Sequence, residues 1–444
     1  MYLILDFCYL AYIIIVLPYY LFRFLVSRTA RLGLTQRFGF LPPRQTNQPA
    51  IWLHGASVGE ILTLQPLINQ LTQDFPNHEI ILSVLTPTAY RLAQEKFKTT
   101  HLIFWPIDLS FIVRKVLKRL KPNLIVLIEQ EIWPNFINQA DKLQIPVVLI
   151  NGRITEKSLR KYRLADFIIK PTLQKIRMLA VQTEEYANRY RSLGVEAQKI
   201  SVTGNMKYDI KAVEGNAEDY LKLFRIKPED RVIVAGSTHY PEEEILIDAY
   251  LNLSAQSDGV RIPPDKSQIS PHKVTESVFH RTNLKLIIAP RHPERVPEVE
   301  KYCELKKLTC IRKSQLSPAK DATDGLIIID TVGELPKIYP VATVVFIGGS
   351  LVPRGGQNVL EPAAAGKPII FGPSMYNFQE PAELLLSAGA AWPVKDKTEL
   401  STRLKSLLAD THLLTQAGQR AQKIIGPHQG ATQRNLAIIK KFIS

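Results

Sequence analysis

Ile51-Trp52-Leu53-His54-Gly55-Ala56-Ser57-Val58-Gly59-Glu60 is the phrase on which the rest of the chain is built. A short apolar run ends in a turn of small residues, and an amphipathic helix follows. The same phrase returns after Glu79–Leu85, Leu102–Phe104, Leu124–Ile128, Val147–Ile150, Met178–Val181 and Ile200–Val202. Strands alternating with helices imply a parallel sheet covered on both faces. Hydrophobicity drops and acids gather around Tyr208–Arg225, which reads as a linker. The phrase restarts at Val232–Ala235. It continues through Leu284–Ala289, Leu308–Ile311, Leu326–Ile329, Ala342–Ile347 and Pro368–Phe371. Amphipathic helices near 397–408, 412–425 and 430–443 close the chain. The expected architecture is α/β, with two doubly wound domains facing a cleft. A length of 444 residues suits two domains or three. Segment 253–283 lacks periodicity and reads as a flexible surface insert.

Composition excludes several classes. Three Cys cannot make a disulfide scaffold, and nine His show no pair at metal-ligand spacing. The formal net charge is +15, with 56 Lys and Arg against 41 Asp and Glu. Nucleic acid, a membrane surface and an anionic substrate are the three readings of such a surplus. No basic-aromatic recognition motif supports nucleic acid. Residues 2–22, YLILDFCYLAYIIIVLPYYLF, carry one charge, Asp6, and Arg23, Arg28, Arg31, Arg37 and Arg44 follow. That pattern reads as an anchor helix with the rest of the chain on the cytoplasmic side. Pro18 and the tyrosines weaken a spanning helix and leave one lying in the interface as the close alternative. The helical pattern Phe111–Lys121 adds five cations. By itself it reads as a solvated face. Beside an anchor it suits anionic lipid.

In parallel sheets ligands bind beyond the carboxyl ends of the strands, so the loops there carry the chemistry. His54–Glu60 places small residues and a carboxylate at a helix start, suited to general-base work on a hydroxyl. The bland alternative is that Glu60 complements the helix dipole. Glu129-Gln130-Glu131-Ile132-Trp133-Pro134-Asn135 sets two acids and a Trp after a strand. Trp52, Trp105 and Trp133 suit a sugar or lipid headgroup, with core packing the alternative, and for Trp52 the better one. In the second half, Ala235–His239 leads into the helix start Pro241–Glu244. Arg291 and His292, in Ala289–Arg295, are placed to hold a phosphate. Gly348–Pro362 places four Gly and Arg354 after a strand, with Glu361 in a following helix. Its amides are expected to cradle phosphate and Glu361 to accept from ribose hydroxyls. It matches neither a Walker A loop nor a dinucleotide fingerprint. There is no Asp-x-Asp pair for a metal-dependent sugar-nucleotide site, so neutralising a leaving phosphate falls to Arg291, helix dipoles and amides.

These motifs, with Asn151-Gly152-Arg153-Ile154 and Gly204-Asn205-Met206-Lys207, occur in an order that resembles the Kdo (3-deoxy-D-manno-octulosonic acid) transferases. The resemblance runs over nearly the whole chain apart from 253–283. It implies a GT-B glycosyltransferase with an N-terminal membrane-anchor helix, bound to the cytoplasmic face of the inner membrane. The donor implied is CMP-Kdo and the acceptor a lipid A precursor. Transfer inverts the anomeric centre without a cofactor or tightly bound metal. Glu60 matches the family's general base and Glu129 its second essential acid. Ser237, Arg291, His292, Gly349, Asn358 and Glu361 match its donor-binding motifs. The domains implied are an anchor helix at 1–27, an acceptor-binding domain at 28–212 and a nucleotide-sugar-binding domain at 213–444. Gln357 stands where the family usually has His, and Gln36 where many members have Glu. The rival readings are a transferase of another activated acidic sugar, a non-catalytic nucleotide-sugar-binding protein, and, on charge alone, a nucleic-acid-binding protein.

Overall fold

The computed structural model describes residues 5–7, 9–11, 13–16, 18, 32–44, 46–98, 100–209, 217–257, 283–316 and 326–443. The chain divides into two units, Met1–Asp209 with His428–Ser444, and Ile210–Pro427.

The first unit holds β1 (Ala50–His54), β2 (Glu79–Val84), β3 (His101–Phe104), β4 (Leu124–Ile128), β5 (Val147–Gly152), β6 (Met178–Val181) and β7 (Ile200–Val202). They form one sheet in the order β3-β2-β1-β4-β5-β6-β7, and every pairing is parallel. All five residues of β1 are buried, because helices cover both faces. Alternate side chains serve different cores. Ala50 and Trp52 join one cluster with the helix Ser110–Leu120, and Ile51 and Leu53 join another with the helix Val58–Asp74. The strand order reverses where β1 pairs with β4, so the loops after these two strands diverge around one point.

The second unit repeats the plan with β8 (Arg231–Thr238), β9 (Leu284–Pro290), β10 (Cys310–Arg312), β11 (Leu326–Ile328), β12 (Val344–Ile347), β13 (Ile369–Phe371) and β14 (Ala391–Pro393). Their order is β10-β11-β9-β8-β12-β13-β14, again all parallel. The reversal falls between β8 and β12.

Three expectations need correction. The final helix, Ala431–Lys440, packs with the first unit, so the tail does not belong with 213–427. Its Ala431, Leu436, Ile438 and Ile439 complete the cluster around Val58–Asp74. The helix Glu242–Ser257 takes in 253–257, which were expected in the insert, and 258–282 lie outside the described residues. Of the expected linker, Ala217–Leu223 is helical and Tyr208 and Phe224 are fully buried. Residues 210–216 lie outside the described residues.

The expected anchor lies partly outside them as well. Those described between 5 and 18 are helical. Among the described residues, no helix is long and apolar enough to cross a membrane.

Candidate functional site

Glu60 follows β1 at the start of the helix Val58–Asp74. Ser57 caps that helix by accepting from the Glu60 N–H. The Glu60 carboxylate reaches back, accepting from Ala56 N–H at 2.7 Å and Ser57 Oγ at 2.9 Å. This reciprocal cap satisfies donors that a helix start leaves over. It also fixes a carboxylate at the strand's carboxyl end. Burial raises the Glu60 pKa to about 7. The Ala56 N–H opposes that rise, the charges of Glu129 and Glu131 add to it, and Ser57 opposes it. The acid therefore titrates near neutrality, where a general base works well.

Glu129 follows β4 directly with a left-handed backbone, φ 57°. A non-glycine residue holds that conformation at a cost of order 1 kcal/mol, and such positions gather at functional sites. Its carboxylate is buried between two cations, Arg153 Nε at 3.0 Å and Lys207 Nζ at 3.1 Å. Neither cation is a neighbour in sequence. Arg153 follows β5. Lys207 is delivered by the loop after β7, where buried Asn151 accepts from the Met206 N–H at 2.9 Å. Glu131 accepts from the Trp133 indole at 2.8 Å and faces His54 Nε2 at 3.3 Å. His54 is fully buried, held by Ser83 and stacked on Trp105 with centroids 3.7 Å apart. Trp52 belongs to the core, as expected, and so does Trp105, for which the ligand-wall reading fails; Trp133 is half-buried. Arg153, Lys207 and the His54–Glu131 pair had no role assigned from sequence. Their motifs were visible, but only the sheet topology brings them to the acids.

In the second unit, Ser237 also adopts a left-handed backbone, φ 55°, where the β8–β9 register shifts between Gly236 and Thr238. Gly348 lies so close that a Cβ there would meet Ser237 O at 2.2 Å. Only glycine fits such an approach. The expectation that amides of this loop await a phosphate needs correction. Glu242, buried and read from sequence only as an acid of a helix start, accepts from the N–H groups of Gly349 (2.7 Å), Ser350 (3.0 Å), Leu351 (2.9 Å) and His239 (2.9 Å). Burial raises its pKa, and the amides oppose the rise. The protein's own carboxylate fills that nest, and the Gly349 amide is spent on Glu242.

Two histidines and three arginines lie about the loop. His239 packs edge-on to His292, centroids 5.6 Å apart. Burial lowers the His239 pKa, and His292, Arg354, Arg291 and Arg295 lower it further. Arg295 is taken by Glu298 at 2.6 Å and Glu243 at 3.6 Å. Arg291 and Arg354 are exposed and have no carboxylate partner among the described residues. Gln357 reaches the same place, since a Cβ on Gly349 would lie 3.3 Å from His239, 3.4 Å from Arg354 and 3.5 Å from Gln357 Nε2. Asn358 accepts from the Leu360 N–H at 3.0 Å and donates to Glu361 at 3.1 Å. Burial raises the Glu361 pKa, with Asn358 opposing. Among the described residues, no three His, Cys, Asp or Glu side chains gather as a metal site.

The first unit holds an acid that titrates near neutrality, which suits deprotonation of a hydroxyl. The second unit holds a cationic loop cluster, which suits an anionic leaving group. Comparison with known proteins agrees. A family model described as 3-deoxy-D-manno-octulosonic-acid transferase (kdotransferase) matches residues 33–210. The 3-deoxy-D-manno-octulosonic acid transferase of Haemophilus influenzae is 30% identical over 421 residues, 93% of this chain and 92% of that one. The enzyme of the same description from Rickettsia typhi is 31% identical over 405 residues, 90% of this chain and 81% of its own. Among solved structures, Acinetobacter baumannii MurG matches with a TM-score of 0.51 at 13% identity, covering 89% of this chain and 99% of that one. A UDP-GlcNAc 2-epimerase from Neisseria meningitidis matches at 0.52 and 14%, covering 88% and 100%. At such identity these structures speak for the fold alone.

Proposed function

The chain belongs to the Kdo transferase family and is a glycosyltransferase, and on that premise we propose that it moves Kdo from CMP-Kdo to a hydroxyl of a lipid A precursor in lipopolysaccharide biosynthesis. The observation that carries the mechanism is the held Glu60 carboxylate with its pKa near 7. Glu60 takes the acceptor's hydroxyl proton as that oxygen forms its bond to the anomeric carbon. The bond from that carbon to the CMP phosphate oxygen breaks, and CMP leaves with the electron pair. Attack opposite the leaving group inverts the centre. Glu129, held by Arg153 and Lys207, organises the acceptor side. The phosphate falls to side chains, Arg291, Arg354 and His292, because Glu242 occupies the Gly349–Leu351 amides. Ser237, Asn358 and Glu361 shape the rest of the donor site.

Glu60→Gln removes the base and keeps the cap's hydrogen-bonding shape. It should lower kcat by about 10²–10⁴-fold while calorimetry finds CMP affinity unchanged. Activity that survives the substitution removes Glu60 from the role.

A second reading, transfer of another activated acidic sugar, rests on Gln357. It stands among His239 and Arg354, and an amide there cannot carry charge. Product from CMP-Kdo set against other nucleotide sugars separates the two.

We further propose residence at the cytoplasmic face of the inner membrane. Support comes from exposed Phe7, Ile14, Ile15 and Phe111, and from exposed Arg114, Lys115, Lys118 and Arg119. Cosedimentation with anionic vesicles should exceed that with neutral ones and fall as salt rises. Equal binding to both contradicts the proposal.

A further inference from the structure

Two helices of the first unit start without a side-chain cap of their own. Leu109 precedes Ser110–Leu120 and Trp133 precedes Pro134–Lys142, and neither supplies a capping hydrogen bond. Their orphan N–H groups are closed from elsewhere in the chain. Asp6 Oδ1 accepts from the Ser110 N–H at 2.8 Å and from Asn135 Nδ2 at 2.8 Å. Asp108 accepts from the N–H groups of Asn135 at 3.1 Å and Phe136 at 2.7 Å. Asn135 Nδ2 also donates to Asp108 O at 2.7 Å, and the Tyr9 hydroxyl donates to the Asp108 carboxylate at 3.5 Å. Asp108 is 4% exposed and Asn135 0%.

Asp6 is the one charge in residues 2–22. A carboxylate in a segment that served only to hold lipid is costly and contributes nothing there. Here it ties the segment to two helix starts. One of those starts ends the acid loop. Trp133 immediately precedes it, the Trp133 indole holds Glu131, and Glu131 adds to the field on Glu60. Asn135 therefore fixes the far end of the loop that begins at Glu129.

We propose that Asp6 is a positioning residue for transfer: through Asn135 it sets the Glu129–Trp133 loop, so Asp6 serves the acceptor site and not only an attachment. The inference rests on the acceptor-site reading above.

The test uses full-length Asp6→Ala and Asp6→Asn with CMP-Kdo and a detergent-dispersed lipid A precursor. Asn keeps an accepting oxygen and Ala does not. Asp6→Ala should lower kcat about tenfold, since small misplacements of a catalytic constellation carry losses of that size. Its acceptor KM and vesicle binding should stay within about twofold of wild type, and Asp6→Asn should recover most of kcat. Hydrogen exchange across 129–137 should quicken in Asp6→Ala while peptides of the second unit keep their protection. A wild-type kcat in Asp6→Ala overturns the proposal. So does a loss confined to KM and vesicle binding, or an Asn variant no better than Ala. If Asp6→Ala does not fold, Asp6→Ser, whose shorter side chain cannot accept from both Ser110 N–H and Asn135 Nδ2, takes its place, and wild-type kcat and exchange for it overturn the proposal. If wild type transfers no Kdo, the donor reading alone has failed. The exchange comparison then decides, and unchanged protection at 129–137 overturns the positioning role.

Discussion

Glu60 has two jobs that pull on the same two oxygens. As part of a helix cap it accepts from Ala56 and Ser57, which favours the ionised form. Burial and the charges of Glu129 and Glu131 favour the protonated form and prevail, taking the pKa to about 7. The rate should therefore fall as pH drops below about 7, tenfold per unit, and level off above it. Ser57→Ala removes a donor to the carboxylate, so the base's pKa rises and the limb moves to higher pH. The lost cap should also cost about 1 kcal/mol of stability. A limb near the ordinary carboxylate value of about 4 contradicts this account of the base. Glu60 was legible from its own neighbours, because a small-residue turn before a helix is a local pattern. That Glu129 and Glu131 act on it, and that Arg153 and Lys207 hold Glu129, was not, since these groups converge only through strand order.

The two sheets were readable strand by strand, because strands buried on both faces are continuous β-branched runs. Helix capping across long sequence gaps was not. Asp6, Asp108 and Asp209 close the helices at 110, 134 and 431, whose own cap residues Leu109, Trp133 and Gly430 offer no side-chain bond. A cap is predictable when it is the preceding residue and invisible when it comes from another element. Glu242 belongs with these. It looked like one acid of a helix start, and it organises the Gly348–Leu351 loop. Glu242→Gln leaves one accepting oxygen and points an NH₂ at backbone donors. It should cost of order 3 kcal/mol, read as a lower urea midpoint, together with weaker CMP binding. An unchanged midpoint contradicts the internal-anion role.

The whole chain is two parallel-sheet units, and the second is an excursion that ends before the first is complete. Asp209 marks the exit from the first unit. Its carboxylate accepts from the N–H groups of Gly430, Ala431 and Thr432, where the tail returns. Asp209→Ala should lower stability by about 1–2 kcal/mol and speed amide exchange across 431–440. Protection that stays at the wild-type level contradicts this clasp. The surplus charge of +15 likewise separates by place. Part lies on the exposed face of Ser110–Leu120, and part in Arg291 and Arg354 beside the loops of the second unit. The central claim, transfer of Kdo with Glu60 as base, is tested most directly by the mass of the product after incubation with CMP-Kdo and a lipid A precursor. Wild type should add whole Kdo residues, and Glu60→Gln should leave the acceptor mass unchanged while still binding CMP. An unmodified acceptor with wild type, or transfer by Glu60→Gln at the wild-type rate, contradicts it.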